Sequence, residues 1–124
     1  GRCVETGMFG VAISTSSISV GSRCPHARAG VGAVATQNIT DPHLARLVLD
    51  EMEAGYSAQE AISRITENRE FIDYRQLTAV DTAGTTAHFS GTHILGTYTV
   101  HQAIRRAIAL RRAIYCPLPM CPKR

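Results

Sequence analysis

The middle of the chain constrains the fold most, because two helix starts stand there back to back, each with its own cap. Asp41 is a good N-cap, and Pro42 takes the first helical position, where its missing N–H costs nothing. Leu44, Leu47, Val48 and Met52 then recur on one face, with Arg46, Asp50 and Glu53 elsewhere, until Gly55 supplies a stop. Two residues later Ser57-Ala-Gln-Glu60 forms a capping box, in which each side chain satisfies the other's orphan amide. Ile62 and Ile65 give this second helix an apolar side, and the pattern frays near Asn68. Two amphipathic helices in succession need an apolar surface to cover.

The flanking segments read as that surface. Glu5-Thr6-Gly7 is a tight turn and Met8 to Ile13 a buried strand. Ser14 to Ser19 is a run of mostly small hydroxyl residues leading to Gly21, a loop. Ala29 to Thr36 mixes small and β-branched residues with Gly30 and Gly32, poor helix material that fits a strand with close backbone approach. After the helices, Tyr74 to Val80 is a strand, Asp81-Thr-Ala-Gly84 a turn with glycine placed for positive φ, and Thr85 to Ser90 the returning strand. The expected class is α+β, a sheet with two helices packed on one face.

Length and charge narrow the function. The 124 residues suit one domain, and no apolar run nears the roughly 20 residues of a membrane span. No basic start leads into an apolar h-region, so the expected compartment is the cytoplasm. The net charge of +3 belongs to the tail. Residues 1–100 carry seven arginines against all ten acids, whereas residues 101–124 are basic with no acid. The body therefore offers no nucleic-acid surface, and no membrane element. Cys3, Cys24, Cys116 and Cys121 lack a framework spacing and read as free thiols. No metal and no cofactor is expected: His88 and His93 have no carboxylate to complete a ligand set, and Gly30-Val-Gly32 is only half a dinucleotide fingerprint.

Two places carry candidate chemistry. His26, in Cys24-Pro-His-Ala-Arg28, stands beside an arginine and suits a base or a polarising group, though a lone histidine equally suits packing. Ser14-Thr-Ser-Ser17 suits a nucleophile or oxyanion donor at a strand end, but no spacing names a base, and no Gly-x-Ser-x-Gly elbow is present. A polar strand edge is the simpler reading there.

Pro25 to Gln37, with Thr6 to Ile13 before it and Tyr74-Arg-Gln76 and Phe89-Ser-Gly91 after it, resembles the domain of unknown function 1028 family over roughly residues 1–100. That family is placed among the N-terminal-nucleophile (Ntn) hydrolases. The resemblance implies an αββα sandwich, two sheets between two helical layers. It also implies a cytoplasmic amidohydrolase acting on a small amide or peptide-like bond, while an apolar strand edge left open by a missing first strand would favour a homo-oligomer. In such enzymes the first residue of the mature chain attacks the carbonyl, and its own α-amine, with a pKa near 8, takes the proton. Members typically open with a Thr-led strand before the stretch matching Gly1-Arg2, so the first strand and the second half are expected to be missing here and the chain inactive. Ser14, His26 and Arg28 are the expected catalytic-pocket residues, with Thr36 and Gln37 as substrate-binding candidates. The alternative is a non-catalytic Ntn-like scaffold for binding or assembly.

The basic tail does not resemble the family. From Ala107 onward, taking the third base of each codon with the first two of the next permits Asp-Cys-Ile-Ala-Ala-Gly-Asn-Leu-Leu, a string family members carry. Met120 followed by Cys121 then must read Val. Residues 101–124 are therefore expected to be an out-of-frame product, which would also account for the charge imbalance.

Overall fold

The computed structural model describes residues 1–95, and the backbone of Thr97–Tyr98 and Ile114–Tyr115. The helix signals act as read. In α1 (Pro42–Glu53) the Asp41 carboxylate accepts from His43 N at 3.0 Å, and Gly55 ends the helix at φ 103°. Its buried stripe is Leu44, Ala45, Val48, Leu49 and Met52. Leu49 and Ala45 replace Leu47 in the expected stripe, because the helix is turned so that two adjacent rows share the sheet surface. In α2 (Ala58–Thr66) both halves of the capping box are present, and Ala58, Ala61 and Ile62 are buried.

Four strands form one antiparallel sheet in chain order: β1 (Pro25–Arg28), β2 (Gly32–Asn38), β3 (Arg75–Asp81) and β4 (Thr86–Ser90). The glycine-rich segment is thus a hairpin rather than one strand. Gly30, at φ 73°, turns the chain, and β1 takes in His26 and Arg28. Gly32 then lies where a Cβ would stand 2.4 Å from the Val80 carbonyl oxygen and 2.9 Å from Met52 Cε. Close backbone approach is the reason for that glycine.

Met8 to Ile13 is not a strand. Arg2 and Phe9 form an isolated bridge, Cys3 N donates to Met8 O at 2.8 Å, and Gly7 turns the chain at φ 70°. The expected turn exists, but no neighbouring ladder captures residues 10–13, and Met8 stays 66% exposed. Apolar pattern alone does not make a strand without a partner edge.

Both helices cover one face of the sheet. Val34, Leu77, Ala79 and Ala87 meet Leu44, Val48, Leu49, Ala61 and Ile62 in a single core, with Phe89 packed against it. Asp81, at the end of β3, is buried on this side and ties the layers together. Its carboxylate accepts from Ala58 N at the start of α2 and from Thr85 N in the β3–β4 turn. The opposite face, by strand alternation, carries Ala33, Ala35 and Gln37 from β2, Gln76, Thr78 and Val80 from β3, and Thr86, His88 and Ser90 from β4. Ala33 and Val80 are buried there too. The backbone of β5 (Thr97–Tyr98) pairs antiparallel with β6 (Ile114–Tyr115). The remainder of the basic tail, and with it the out-of-frame expectation, lies outside the described residues.

Candidate functional site

Strand register brings together residues far apart in sequence. Gln37 pairs with Gln76, and Gln76 with Ser90, so a polar row crosses three strands on the face opposite the helices. Gln76 is 1% exposed, and its Nε2 donates to Ser90 Oγ at 2.8 Å. Its Oε1 is buried and has no hydrogen-bond partner among the described residues. Thr78 and His88 form the next row, with His88 exposed.

The end of the sheet that holds this row is heavily cross-tied. Asn38, in the left-handed region at φ 73°, donates from Nδ2 to Tyr74 O at 2.6 Å and accepts at Oδ1 from Leu95 N at 3.0 Å. The Arg75 guanidinium donates to Ile39 O. Gly91 N reaches Arg75 O at 3.0 Å, and His93 N reaches Asp73 O at 2.9 Å. Thr92 donates to Asp73 Oδ1 from both its N and its Oγ1, which holds the Asp73 carboxyl below its ordinary range. The Tyr74 and His93 rings lie 5.0 Å apart. At Gly91 a Cβ would fall 2.1 Å from Asp73 O, so glycine alone permits this crossing. These ties fix the ends of β2 and β4 against the start of β3 and hold the row in place.

The five residues singled out in the sequence fall in different places. Thr36 is buried on the helix side, donating from Oγ1 to Asp41 O at 3.3 Å, and so braces the start of α1. Gln37, next in the chain, points to the opposite face and joins the polar row. Arg28 lies on the helix side and bridges Asp50, at 2.7 Å, and Glu53 of α1. Its hydrogen bond to Asp50, with both carboxylates near, raises its already high pKa and keeps it a cation. His26 shares that side of β1, with Nε2 3.2 Å from Arg23 O. Ser14 is exposed in the loop ahead of β1. The register therefore joins Gln37 to Gln76 and Ser90, and it does not gather His26, Arg28 and Ser14 around them.

Sequence reasoning missed Gln76 and Ser90 as site residues. The signal was present in Tyr74-Arg-Gln76 and Phe89-Ser-Gly91, two segments that carry the family resemblance and converge in space with the end of Pro25 to Gln37. The row holds amides and a hydroxyl and no charge, so it suits recognition of a polar group rather than proton transfer. No group of three or more potential metal ligands exists among the described residues. No described helix is long and apolar enough to cross a membrane.

The model of a family of unknown function, DUF1028, matches residues 1–110. The chain belongs to the DUF1028 family. The match runs past residue 100 into the basic tail. A crystal structure of a DUF1028 protein from Silicibacter pomeroyi is similar, with a TM-score of 0.67 at 25% sequence identity. The similarity covers 70% of this chain and 41% of that one, so this DUF1028 chain spans less than half the length of that relative. No curated protein matches the chain.

Proposed function

We propose that this DUF1028 chain forms part of an N-terminal-nucleophile amidohydrolase acting on a small amide or peptide-like bond. The observation that supports the reading is the division of the sheet. Both helices cover one face, and the other face bears buried Ala33 and Val80 beside the polar row. In an αββα sandwich that second face meets another sheet, and polar residues at its end border the cleft. The nucleophile in this reading lies ahead of Gly1, at the start of the mature enzyme, with its α-amine as base. Gln37 and Ser90 contact substrate, and buried Gln76 holds the Ser90 hydroxyl in position. Thr36, His26 and Arg28 hold β1, β2 and α1 in position.

A specific observation favours the alternative, a binding or assembly scaffold without catalysis: the row contains no acid, base or activated nucleophile. One experiment separates the two. The full-length protein is incubated with a panel of primary amides and acylated amino-acid amides, and release of ammonia or amine is followed. Turnover that disappears when the first residue of the mature protein is replaced by alanine is the expected result. Amide binding with no turnover in any member of the panel would leave the scaffold.

A further inference from the structure

We infer that the end of the sheet carrying Ile39, Phe71, Tyr74 and Leu95 docks a second copy of this chain, with Phe71 as the anchor and Arg69 paired to Glu70 across a two-fold axis. This goes beyond the hydrolase reading and holds whether or not an amide is cleaved. The four apolar residues are distant in sequence and joined through the backbone. Tyr74 N donates to Phe71 O at 3.2 Å, and Ile39 N to Tyr74 O at 3.4 Å. Leu95 N donates to Oδ1 of Asn38, the residue before Ile39, at 3.0 Å. All four are exposed. Exposed apolar residues scattered singly need no explanation, but four at one place mark a contact surface.

The backbone singles out Phe71. Its φ of 58° lies in the left-handed region, which a bulky residue occupies only against a steric penalty. Within its own chain the ring recovers little of that penalty, because Phe71 is 61% exposed. Burial against a partner would recover it, and aromatic anchors of this kind dominate interface energies. Asn68, at φ 53°, makes a similar turn three residues earlier, and between the two turns stand Arg69 and Glu70. Neither of these side chains has a partner among the described residues, whereas the neighbouring Arg75 guanidinium donates to Ile39 O and the Asp73 carboxyl accepts from Thr92. An adjacent Arg and Glu are self-complementary. A two-fold axis sets Arg69 of one copy against Glu70 of the other and repeats the pair on its far side. The two charges sum to zero, so the surface lacks the positive excess that suits a nucleic acid or an anionic lipid. A second copy satisfies both charges and covers the apolar residues together.

Sedimentation velocity of the 124-residue chain over a concentration series tests this. The interface is small, so a dimer with a dissociation constant on the order of 10 μM is expected. Arg69→Glu and Glu70→Arg each set like charges across the axis, and each should weaken the dimer at least about tenfold. An equimolar mixture of the two variants should associate again, because each supplies the charge that the other lacks. Phe71→Gly removes the ring at a position whose backbone suits glycine. It should therefore abolish the dimer without lowering the melting temperature, measured well below the dissociation constant. A chain still monomeric at about 100 μM, a dimer that survives both charge reversals, or a variant mixture that does not associate overturns the inference. So does a Phe71→Gly chain that melts lower and still dimerises, because the ring then packs inside its own chain. A monomer that instead binds phosphatidylserine vesicles through Phe71 assigns the surface to a membrane and equally overturns it.

Discussion

Two acidic residues show how single side chains decide local structure here. Asp81 is 6% exposed, and its two carboxylate oxygens each accept one backbone amide, one from the helix layer and one from the hairpin turn. Asp81→Ala leaves Ala58 N and Thr85 N without those partners, at about 1–3 kcal/mol for each orphaned group. A urea midpoint unchanged by the substitution would show that water replaces the carboxylate without loss. Asp73 acts through pH. Its folded pKa is lowered by Thr92, so its contribution to stability is present above the unfolded value near 3.8 and is lost as pH falls through the lower folded value. Stability should therefore decline on acidification below about pH 4, and Thr92→Val, which removes the side-chain donor, should flatten that decline in denaturant titrations at stepped pH. An identical slope in the variant would assign the acid sensitivity to other carboxylates.

At the scale of elements, the glycines divide into those needed for a backbone angle and those needed for space. Gly30, at φ 73°, has nothing within 4 Å of a would-be Cβ, so Gly30→Ala meets only the left-handed penalty of about 1–2 kcal/mol. Gly91 has the opposite problem, because the obstruction is the Asp73 backbone, which cannot turn away as a side chain can. Gly91→Ala should cost at least the upper end of the about 1–3 kcal/mol typical of overpacking, and should separate β4 from the start of β3. Comparing the two variants by thermal denaturation checks the order, and a Gly91→Ala protein more stable than Gly30→Ala would contradict it. The same contrast explains what the sequence revealed. The α1 and α2 caps were legible because Asp41 and the Ser57–Glu60 box act on amides within three residues. Met8 to Ile13 misled because an apolar run becomes a strand only beside a partner edge. The hairpin at Gly30 was hidden because Ala29 to Thr36 is apolar across the turn as well as after it.

For the molecule as a whole, one of the three residues of the candidate site was within reach of sequence reading. Gln37 stood in the segment that carries the family resemblance, but Gln76 and Ser90 acquire their meaning only from the β2–β3–β4 register, which no local pattern states. His26 and Arg28 looked chemical for the converse reason, since neither the strand parity of β1 nor the Asp50 and Glu53 partners of Arg28 on α1 can be seen from neighbouring residues. That register spans the whole helical crossover: Asn38 bonds Tyr74 across 36 positions of chain. During synthesis β2 therefore leaves the ribosome well before β3 exists to pair with it. At about 5–20 residues per second this interval lasts a few seconds. Throughout it the inner edge of β2 presents open backbone groups, the kind of template that pairs with other chains. The α1 and α2 caps, which need no distant partner, allow the helices to cover the apolar side of β2 during that wait, so the nascent chain is shielded on one face before its sheet is complete.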